Sequence, residues 1–295
     1  GEAKAVPLAL VKQAKANPLK ITLITGASLG NDLDKQLTEA GVLARRLPFQ
    51  VDNTLRKAIN KGEVMFIDQH LSETVEQMRN LQLKKPDVAV IEAVAITEDG
   101  GIIPTTSVGN SASFAIFAKE VIVEINTNLS PAFEGLHDIY IPSYRPTRQP
   151  IPLTQVDERI GTSAINIDPS KIVGIVFNSE YHDSPSTVTE PDDETQGIAN
   201  HLIAFFEKEV EEGRLPKDLG PLQAGIGSIA NAVLTGLKES NFEDLVMYSE
   251  VLQDCTFELI DAGKMKFASG SSITLSAKYG EKVFNNLEQY KDKLV

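Results

Sequence analysis

The chain has 295 residues, of which 42% are hydrophobic, and a formal net charge of -13 at pH 7. This length and composition predict a folded protein with a sizeable core, divided into two α/β units rather than one. The negative charge argues against a phosphate-backbone partner, because no basic stripe interleaved with aromatic residues offsets it, so no nucleic acid is expected.

Targeting and redox signals are sparse. Only one cysteine, Cys255, is present, which excludes an internal disulfide and fits a reducing compartment. No apolar run reaches the length of a membrane span, and no charged-then-apolar leader precedes the first predicted strand. The sequence therefore predicts a soluble cytoplasmic protein without a membrane partner, or a mitochondrial one if a eukaryotic targeting peptide has been removed.

The first half of the chain alternates helical and strand patterns, which predicts a largely parallel sheet. The predicted elements are a helix over 1–18, a strand over 20–25, a helix over 31–40, a strand over 64–68, a helix over 74–81, a strand over 88–96, a helix over 112–118 and strands over 120–125 and 171–178. A glycine turn at 26–30 is interpreted as an ordinary βα turn. Glu92 and Glu124 lie inside strands, where a carboxylate is usually at an edge or paired with a base, so neither is predicted to be catalytic.

A proline-rich segment over 130–157 lacks periodicity, which is typical of a functional or connecting segment. Its His137-Asp138 pair is a weak candidate for acid–base chemistry, since no nucleophile lies nearby in the sequence. The polar, proline-punctuated stretch Ser184–Asp193 is the best candidate for a domain boundary. We therefore predict domains over 1–185 and 186–295.

The second half is organised around the stretch 222–233, predicted to be a short strand, a glycine turn and the start of a helix. Gly225 and Gly227 let the backbone approach a bulky ligand, and Ser228 is predicted to cap the helix. The unpaired N–H groups of a helix N-terminus suit a phosphate or an amide oxygen. The spacing matches neither a dinucleotide fingerprint nor a Walker loop, so a phosphorylated ligand and a plain βα turn both stay open.

Glu250 lies near the end of the next predicted strand, 245–252. A single glutamate there is more often a surface or ion-paired residue than a nucleophile, although active-site residues gather at the carboxyl ends of parallel strands. A carboxylate can also act in covalent catalysis, by forming an acyl intermediate. A helix over 198–213 precedes the glycine turn, and a helix over 257–262, a strand over 265–268 and a helix over 278–293 are predicted to follow Glu250.

The glycine turn and the glutamate strand resemble those of the acetyl-CoA hydrolase/transferase family of CoA-transferases. The resemblance rests on GIGSIANAV at 225–233 and MYSEVLQD at 247–254, and on further blocks in the same order: 4–7 (KAVP), 25–28 (TGAS), 107–109 (SVG) and 133–138 (FEGLHD). It covers essentially the whole chain. It is closest to succinyl-CoA:acetate CoA-transferases and implies two CoA-transferase-type α/β units with largely parallel sheets, the second incomplete.

The resemblance implies that Glu250 attacks an acyl-CoA carbonyl and later carries CoA as a glutamyl thioester. It implies contacts between CoA and the residues Gly225, Ile226, Gly227, Ser228 and Ile229, with no metal, and it implies a homodimer acting on acetate or succinate. Ser228 departs from the asparagine common in the family, so the resemblance does not carry over a side-chain contact to CoA at this position.

Family members extend beyond both ends of this chain, into a region that supplies an oxyanion-stabilising asparagine. Weak or no activity is therefore expected of this chain alone. Two alternatives stay open beside a CoA-transferase. One is an acetyl-CoA hydrolase, in which water resolves the intermediate on Glu250, and the other is a non-catalytic acyl-CoA-binding fragment.

Overall fold

The computed structural model describes residues 1–27, 32–181, 183, 185–186 and 191–295. Contacts within the chain divide it into two units. The first unit consists of Gly1–Glu134, Ile139–Gln149 and Thr162–Ser184, and the second consists of Gly135–Asp138, Pro150–Gly161 and Pro185–Val295. Helices alternate with mostly parallel strands in both units, which confirms the predicted α/β class.

The first unit holds two sheets and the helices that accompany them. Its elements are α1 (Ala5–Ala16), β1 (Ile21–Ile24), α2 (Leu33–Glu39), β2 (Leu43–Leu47), α3 (Asn53–Asn60), β3 (Met65–Phe66), α4 (Leu71–Arg79), β4 (Val88–Ile96), β5 (Ile102–Pro104), α5 (Ser111–Phe117), β6 (Glu120–Asn126) and β7 (Ile172–Asn178). One sheet has the order β1-β2-β3 and the other the order β5-β4-β6-β7. Only the β4–β5 pairing within these sheets is antiparallel, among the described strands.

Continuous apolar stretches explain the central strands. β4 and β6 have neighbours on both sides, and all of their residues except Val88 and Glu120 at their starts are buried or half-buried, as is typical of parallel strands with two covered faces. Alanines of α5 pack against this sheet, with Ala112 and Ala115 in the same apolar cluster as Val121 and Val123. A second apolar cluster joins α1, α2, β2 and α3.

The sequence analysis did not predict β2 or α3. β2 carries two adjacent arginines, Arg45 and Arg46, which obscure the apolar alternation expected of a strand. α3 buries only Leu55 and Ala58 and is otherwise polar, although Asp52 caps it by accepting a hydrogen bond from the Leu55 N–H at 2.8 Å. Both elements form because their few apolar residues join the cluster around α1.

The second unit has one described sheet, of order β10-β9-β8, in which both pairings are parallel. Its elements are α6 (Asp193–Glu211), β8 (Pro221–Leu222), α7 (Ser228–Glu239), β9 (Leu245–Leu252), α8 (Asp254–Asp261), β10 (Met265–Ile273) and α9 (Ala277–Asn285). The Asp192 carboxylate accepts the Thr195 N–H at 2.8 Å, which caps α6. The inner residues of β9, α7 and α8 form the core of this unit.

Several predicted bounds differ from the structure. β10 continues five residues beyond the predicted end at Ala268 because it pairs with β9 as far as Ile273. The last predicted helix, over 278–293, is instead α9 followed by two short 3-10 turns. The backbone of Leu294 then bridges to Ala268.

Some predictions concern residues outside the described ones. These are residues 28–31 of the first glycine turn and helix, and residues 184 and 187–190 of the predicted domain boundary. The predicted domains 1–185 and 186–295 stay a prediction.

Candidate active site

Glu250 lies on β9, the central strand of the sheet in the second unit. Side chains alternate along this strand, so that Met247 and Ser249 point into the core while Tyr248 and Glu250 are exposed. Within the described part of the chain, the Glu250 carboxylate has no hydrogen-bond or ion-pair partner. The Glu250 carbonyl oxygen accepts a hydrogen bond from the Ser271 hydroxyl of β10 at 2.8 Å. The strand is therefore held on one side while the carboxylate stays accessible.

We use "glycine turn" for the residues 223–227, which join β8 to α7. Leu222 of β8 pairs with Met247 of β9, so the turn leaves the sheet as β9 approaches its carboxyl end. The Ser249 hydroxyl lies 3.0 Å from the Ala224 oxygen, to which it donates, and it accepts the Ala224 N–H at 3.4 Å. The Gln253 side-chain amide donates to the Gly225 oxygen at 3.1 Å. These contacts bring the glycine turn and the Glu250 strand to the same edge of one sheet.

The helix that follows the turn begins one residue earlier than the predicted cap requires. Ser228 is the first residue of α7, and the N-cap position belongs to Gly227, which has no side chain to donate or accept. The prediction that Ser228 caps this helix is therefore wrong. Gly227 has φ +143° and ψ 172°, a conformation that residues with a Cβ rarely adopt.

The start of α7 leaves backbone donors unused. The first backbone N–H that donates a helical hydrogen bond is that of Asn231, which bonds to the Gly227 oxygen at 3.1 Å. No described residue accepts from the N–H groups of residues 226–230. Such groups, with the positive end of the helix dipole, favour an anion or an oxygen acceptor. Ile226 and Ile229 belong to this stretch and are 65% and 47% exposed. The surroundings of the unused N–H groups are therefore partly apolar.

The predicted site residues thus lie near the carboxyl ends of two neighbouring parallel strands, with Gly225–Ile229 after β8 and Glu250 near the end of β9. The sequence analysis missed Ser249 and Gln253. A signal for them was present, because a hydroxyl residue directly precedes Glu250 and an amide residue follows it by three positions. A side chain that bonds to a turn lying 25 to 28 residues earlier is not evident from local pattern, however.

Cys255 lies behind this edge, at the start of α8. Its thiol is buried and lies 3.7 Å from the Asn231 side-chain oxygen of α7. Burial raises the pKa of the Cys255 thiol to about 11, and the carboxylates of Glu258 and Asp254 add to that effect. Because the thiolate is the reactive form, this environment disfavours a nucleophilic cysteine at neutral pH.

Three other acidic residues noted in the sequence, Asp138, Glu92 and Glu124, have structural partners. The Asp138 carboxylate accepts the N–H groups of Ile160 at 3.1 Å and Gly161 at 2.6 Å, which ties two segments of the second unit together. Glu92 and Glu124 are buried in the first unit and bonded to several donors. These contacts assign all three carboxylates a role in holding the fold.

The described residues contain no group of three or more histidine, cysteine, aspartate or glutamate side chains placed to hold a metal ion. None of the helices in the described part of the chain is long and apolar enough to cross a membrane.

Comparison with known proteins decides the family. Residues 1–177 match the model of the acetyl-CoA hydrolase/transferase N-terminal domain. The chain belongs to the acetyl-CoA hydrolase/transferase family. It is 43% identical to the succinyl-CoA:acetate CoA-transferase of Clostridium kluyveri, an alignment that covers all of this chain and 55% of that protein. It is 42% identical to the acetyl-CoA hydrolase of Schizosaccharomyces pombe, covering all of this chain and 58% of that one.

Solved structures agree on the fold of this family member. The crystal structure of a 4-hydroxybutyrate CoA-transferase from Porphyromonas gingivalis matches 99% of this chain and 66% of its own, with a TM-score of 0.60 and 19% identity. At that identity the match establishes the fold alone. The chain spans little more than half the length of the curated relatives named above.

Proposed function

We propose that this chain provides the nucleophile and part of the CoA-binding surface of a CoA-transferase, with Glu250 as the nucleophile. The observation that carries the proposal is the position of an exposed carboxylate on β9 next to a helix N-terminus with unused N–H groups. Carboxyl ends of parallel strands are where such sites form in α/β proteins. Membership of the acetyl-CoA hydrolase/transferase family supports the same chemistry.

In the proposed reaction, a Glu250 carboxylate oxygen attacks the acyl-CoA carbonyl carbon, the carbon–sulfur bond breaks, and CoA leaves as a thiolate. The thiolate then attacks the side-chain carbonyl of the resulting anhydride, which releases the acyl group as a carboxylate and leaves CoA as a thioester on Glu250. An acceptor carboxylate reverses the sequence and takes CoA away. Covalent catalysis of this kind divides one difficult transfer into easier steps.

The substrates are proposed from the relatives. Acetyl-CoA or succinyl-CoA as the donor, with acetate or succinate as the acceptor, follows the name of the Clostridium kluyveri relative. Within the predicted set Gly225–Ile229, the unused N–H groups of residues 226–229 are suited to the oxygens of CoA, and a chain of net charge -13 would bind a polyanion through them. A homodimer and a cytoplasmic or mitochondrial location stay predictions.

The second candidate is an acetyl-CoA hydrolase, and it is favoured by the 42% identity to the Schizosaccharomyces pombe enzyme of that name. The two activities share every step up to the thioester on Glu250 and differ in whether water or a carboxylate resolves it. Measuring free CoA released from acetyl-CoA, with and without added succinate or acetate, separates them. Only a hydrolase releases CoA at a steady rate when no acceptor carboxylate is present.

The test of the proposed function is intact-mass spectrometry after incubation with acetyl-CoA, followed by borohydride reduction and peptide mapping. Borohydride converts a glutamyl thioester to an alcohol, so a reduced side chain at Glu250 supports the proposal. Glu250→Gln should abolish the modification, while Glu239→Gln, which changes an exposed glutamate at the end of α7, should leave it intact. The Clostridium kluyveri relative serves as positive control. Modification of that enzyme but not of this chain would contradict an active nucleophile here and favour a binding fragment.

A further inference from the structure

We propose that Ser249 and Gln253 are positioning residues that hold the glycine turn in place beside Glu250. The proposal rests on the proposed function for its catalytic meaning, whereas the contacts that carry it are structural. Backbone pairing between β8 and β9 covers only two residue pairs and ends at Leu222 and Met247. Beyond that point the turn diverges from the sheet, so side chains must fix its position.

The Ser249 hydroxyl replaces the missing backbone pairing. It donates to the Ala224 oxygen at 3.0 Å and accepts from the Ala224 N–H at 3.4 Å, so that both backbone groups of one residue bond to one side chain. Ser249 is only 8% exposed. A buried hydroxyl that loses its partners is costly, since water cannot replace them, and this keeps Ala224 against the strand.

Gln253 fixes the next residue of the glycine turn, Gly225, in the same way. It follows the last residue of β9, and its side-chain amide donates to the Gly225 oxygen at 3.1 Å. With the Ala224 and Gly225 oxygens both bonded to protein donors, two carbonyl groups are kept from facing an anionic ligand. The N–H groups of residues 226–230 are then the backbone groups that the turn and the helix start can offer.

These hydrogen bonds affect the site because Ser249 and Gln253 lie in the same short segment as Glu250, the proposed nucleophile. Ser249 immediately precedes Glu250, and Gln253 follows it by three residues. A shift of the turn therefore changes the distance between its N–H donors and the Glu250 carboxylate. Preorganised donors are effective only in a fixed geometry, and a displacement of about 1 Å can slow a reaction about 100-fold.

The experiment compares Ser249→Ala, Ser249→Thr and Gln253→Met with the unchanged chain. The matched control is Ser240→Ala, because the Ser240 hydroxyl at the other end of α7 also donates to one backbone oxygen, at 2.7 Å from Leu237, and accepts one N–H, at 3.2 Å from Phe242. Two readouts are needed. The first is the NMR order parameter of the Gly225, Gly227 and Ile229 amides, and the second is the rate at which acetyl-CoA modifies Glu250, measured at saturating and at limiting substrate.

Ser249→Ala and Gln253→Met are each expected to lower the order parameters of the turn from about 0.85 toward about 0.6. We expect the maximal rate of Glu250 modification to fall about tenfold, corresponding to the loss of one or two hydrogen bonds, with a smaller change in the half-saturating concentration. Ser249→Thr, which keeps the hydroxyl, should leave the order parameters and the rate of Glu250 modification close to those of the unchanged chain. Ser240→Ala should change neither, although it destabilises the same unit.

Unchanged order parameters in folded Ser249→Ala and Gln253→Met proteins would overturn the proposal. Equal losses in Ser240→Ala would overturn it too, since the effect would then be one of general stability. Failure of the proposed function is distinguishable from both results. If acetyl-CoA never modifies Glu250 in the unchanged chain, the proposed function fails, while the order parameters still decide whether the two side chains hold the turn.

Discussion

Glu92 and Glu124 occupy paired positions on the neighbouring strands β4 and β6, and both are buried. Two adjacent carboxylates are tolerated because each has its own donors. Glu92 accepts the Thr105 hydroxyl at 2.6 Å and the Asn126 amide at 3.0 Å. Glu124 accepts the backbone N–H groups at the start of α1, from Lys4 at 2.9 Å and from Ala5 and Val6 at 3.0 Å. A strand carboxylate therefore acts as the anchor of a helix N-terminus.

Glu124→Gln should destabilise the first unit by about 2–4 kcal/mol. The amide removes the negative charge that favours the helix N-terminus and replaces one acceptor oxygen by a donor facing N–H groups. Urea unfolding followed by far-ultraviolet circular dichroism measures the change. Glu120→Gln, at an exposed position of the same strand, is the control and should cost less than about 0.5 kcal/mol. Equal losses would contradict the anchoring role.

Arg46→Met should also be strongly destabilising. The Arg46 side chain is fully buried, and its guanidinium donates to both Asp34 oxygens, at 2.9 and 3.1 Å, and to the Leu47 oxygen at 2.7 Å. Removing one partner leaves a carboxylate without its counter-charge, at a cost of about 3–5 kcal/mol. Thermal unfolding is the measurement. Arg45→Met, at the exposed neighbouring position, should lower the melting temperature much less. A similar drop in the two variants would refute this prediction.

Gly227→Ala should lower the stability of the chain, whereas Gly225→Ala should leave it almost unchanged. A Cβ at Gly227 is strained by the φ of +143°, so Gly227→Ala should destabilise the turn by about 1–3 kcal/mol. At Gly225 an added Cβ meets no described atom within 4 Å and φ needs no glycine, so stability should stay within about 0.5 kcal/mol. If CoA contacts Gly225, as proposed, Gly225→Ala should instead weaken CoA binding in calorimetry. Normal stability of Gly227→Ala would contradict the first half of this prediction, and unchanged CoA affinity of Gly225→Ala would contradict the second.

The Cys255 thiol predicts how stability depends on alkaline pH. Its pKa is about 11 in the folded chain, against an ordinary value of 9.0. Below pH 9.0 both states keep the proton, so the thiol has no effect on the pH dependence. Between pH 9.0 and about 11 the unfolded chain loses its proton first, so the free energy of unfolding falls as pH rises. Above that range the decrease levels off.

Comparing the unchanged chain with Cys255→Ala isolates this contribution from the tyrosines, since burial raises the pKa of Tyr279 and Tyr290 as well. The difference between the two unfolding free energies should change only over the stated pH window. Alkylation by iodoacetamide at pH 8 should be slow in the folded chain and fast in urea. Rapid alkylation of the folded chain at pH 8 would show that the thiol is not protected by burial.

The helices and strands that were predicted correctly are those whose sequence pattern depends only on residues close to each other in the chain. The run of β-branched residues in β4 and the glycines before α7 predict a strand and a turn with little reference to the rest of the chain. β2 was missed because its burial depends on Asp34, twelve residues earlier, which compensates the charge of Arg46. The capping role predicted for Ser228 failed because the backbone at Gly227 enters the helix one residue earlier than the residue types suggest.

By itself the sequence determined the α/β class, the order of the main elements, and the glycine turn and glutamate segment that point to the family. Those features depend on apolar period and on turn residues, which act over a few positions. Only the tertiary structure decided that Ser249 bonds to Ala224, that Glu124 anchors α1, and that Glu250 is exposed near the carboxyl end of the central strand β9. These relations depend on which strands become neighbours, and the free energy that selects neighbours comes from contacts between residues distant in the chain.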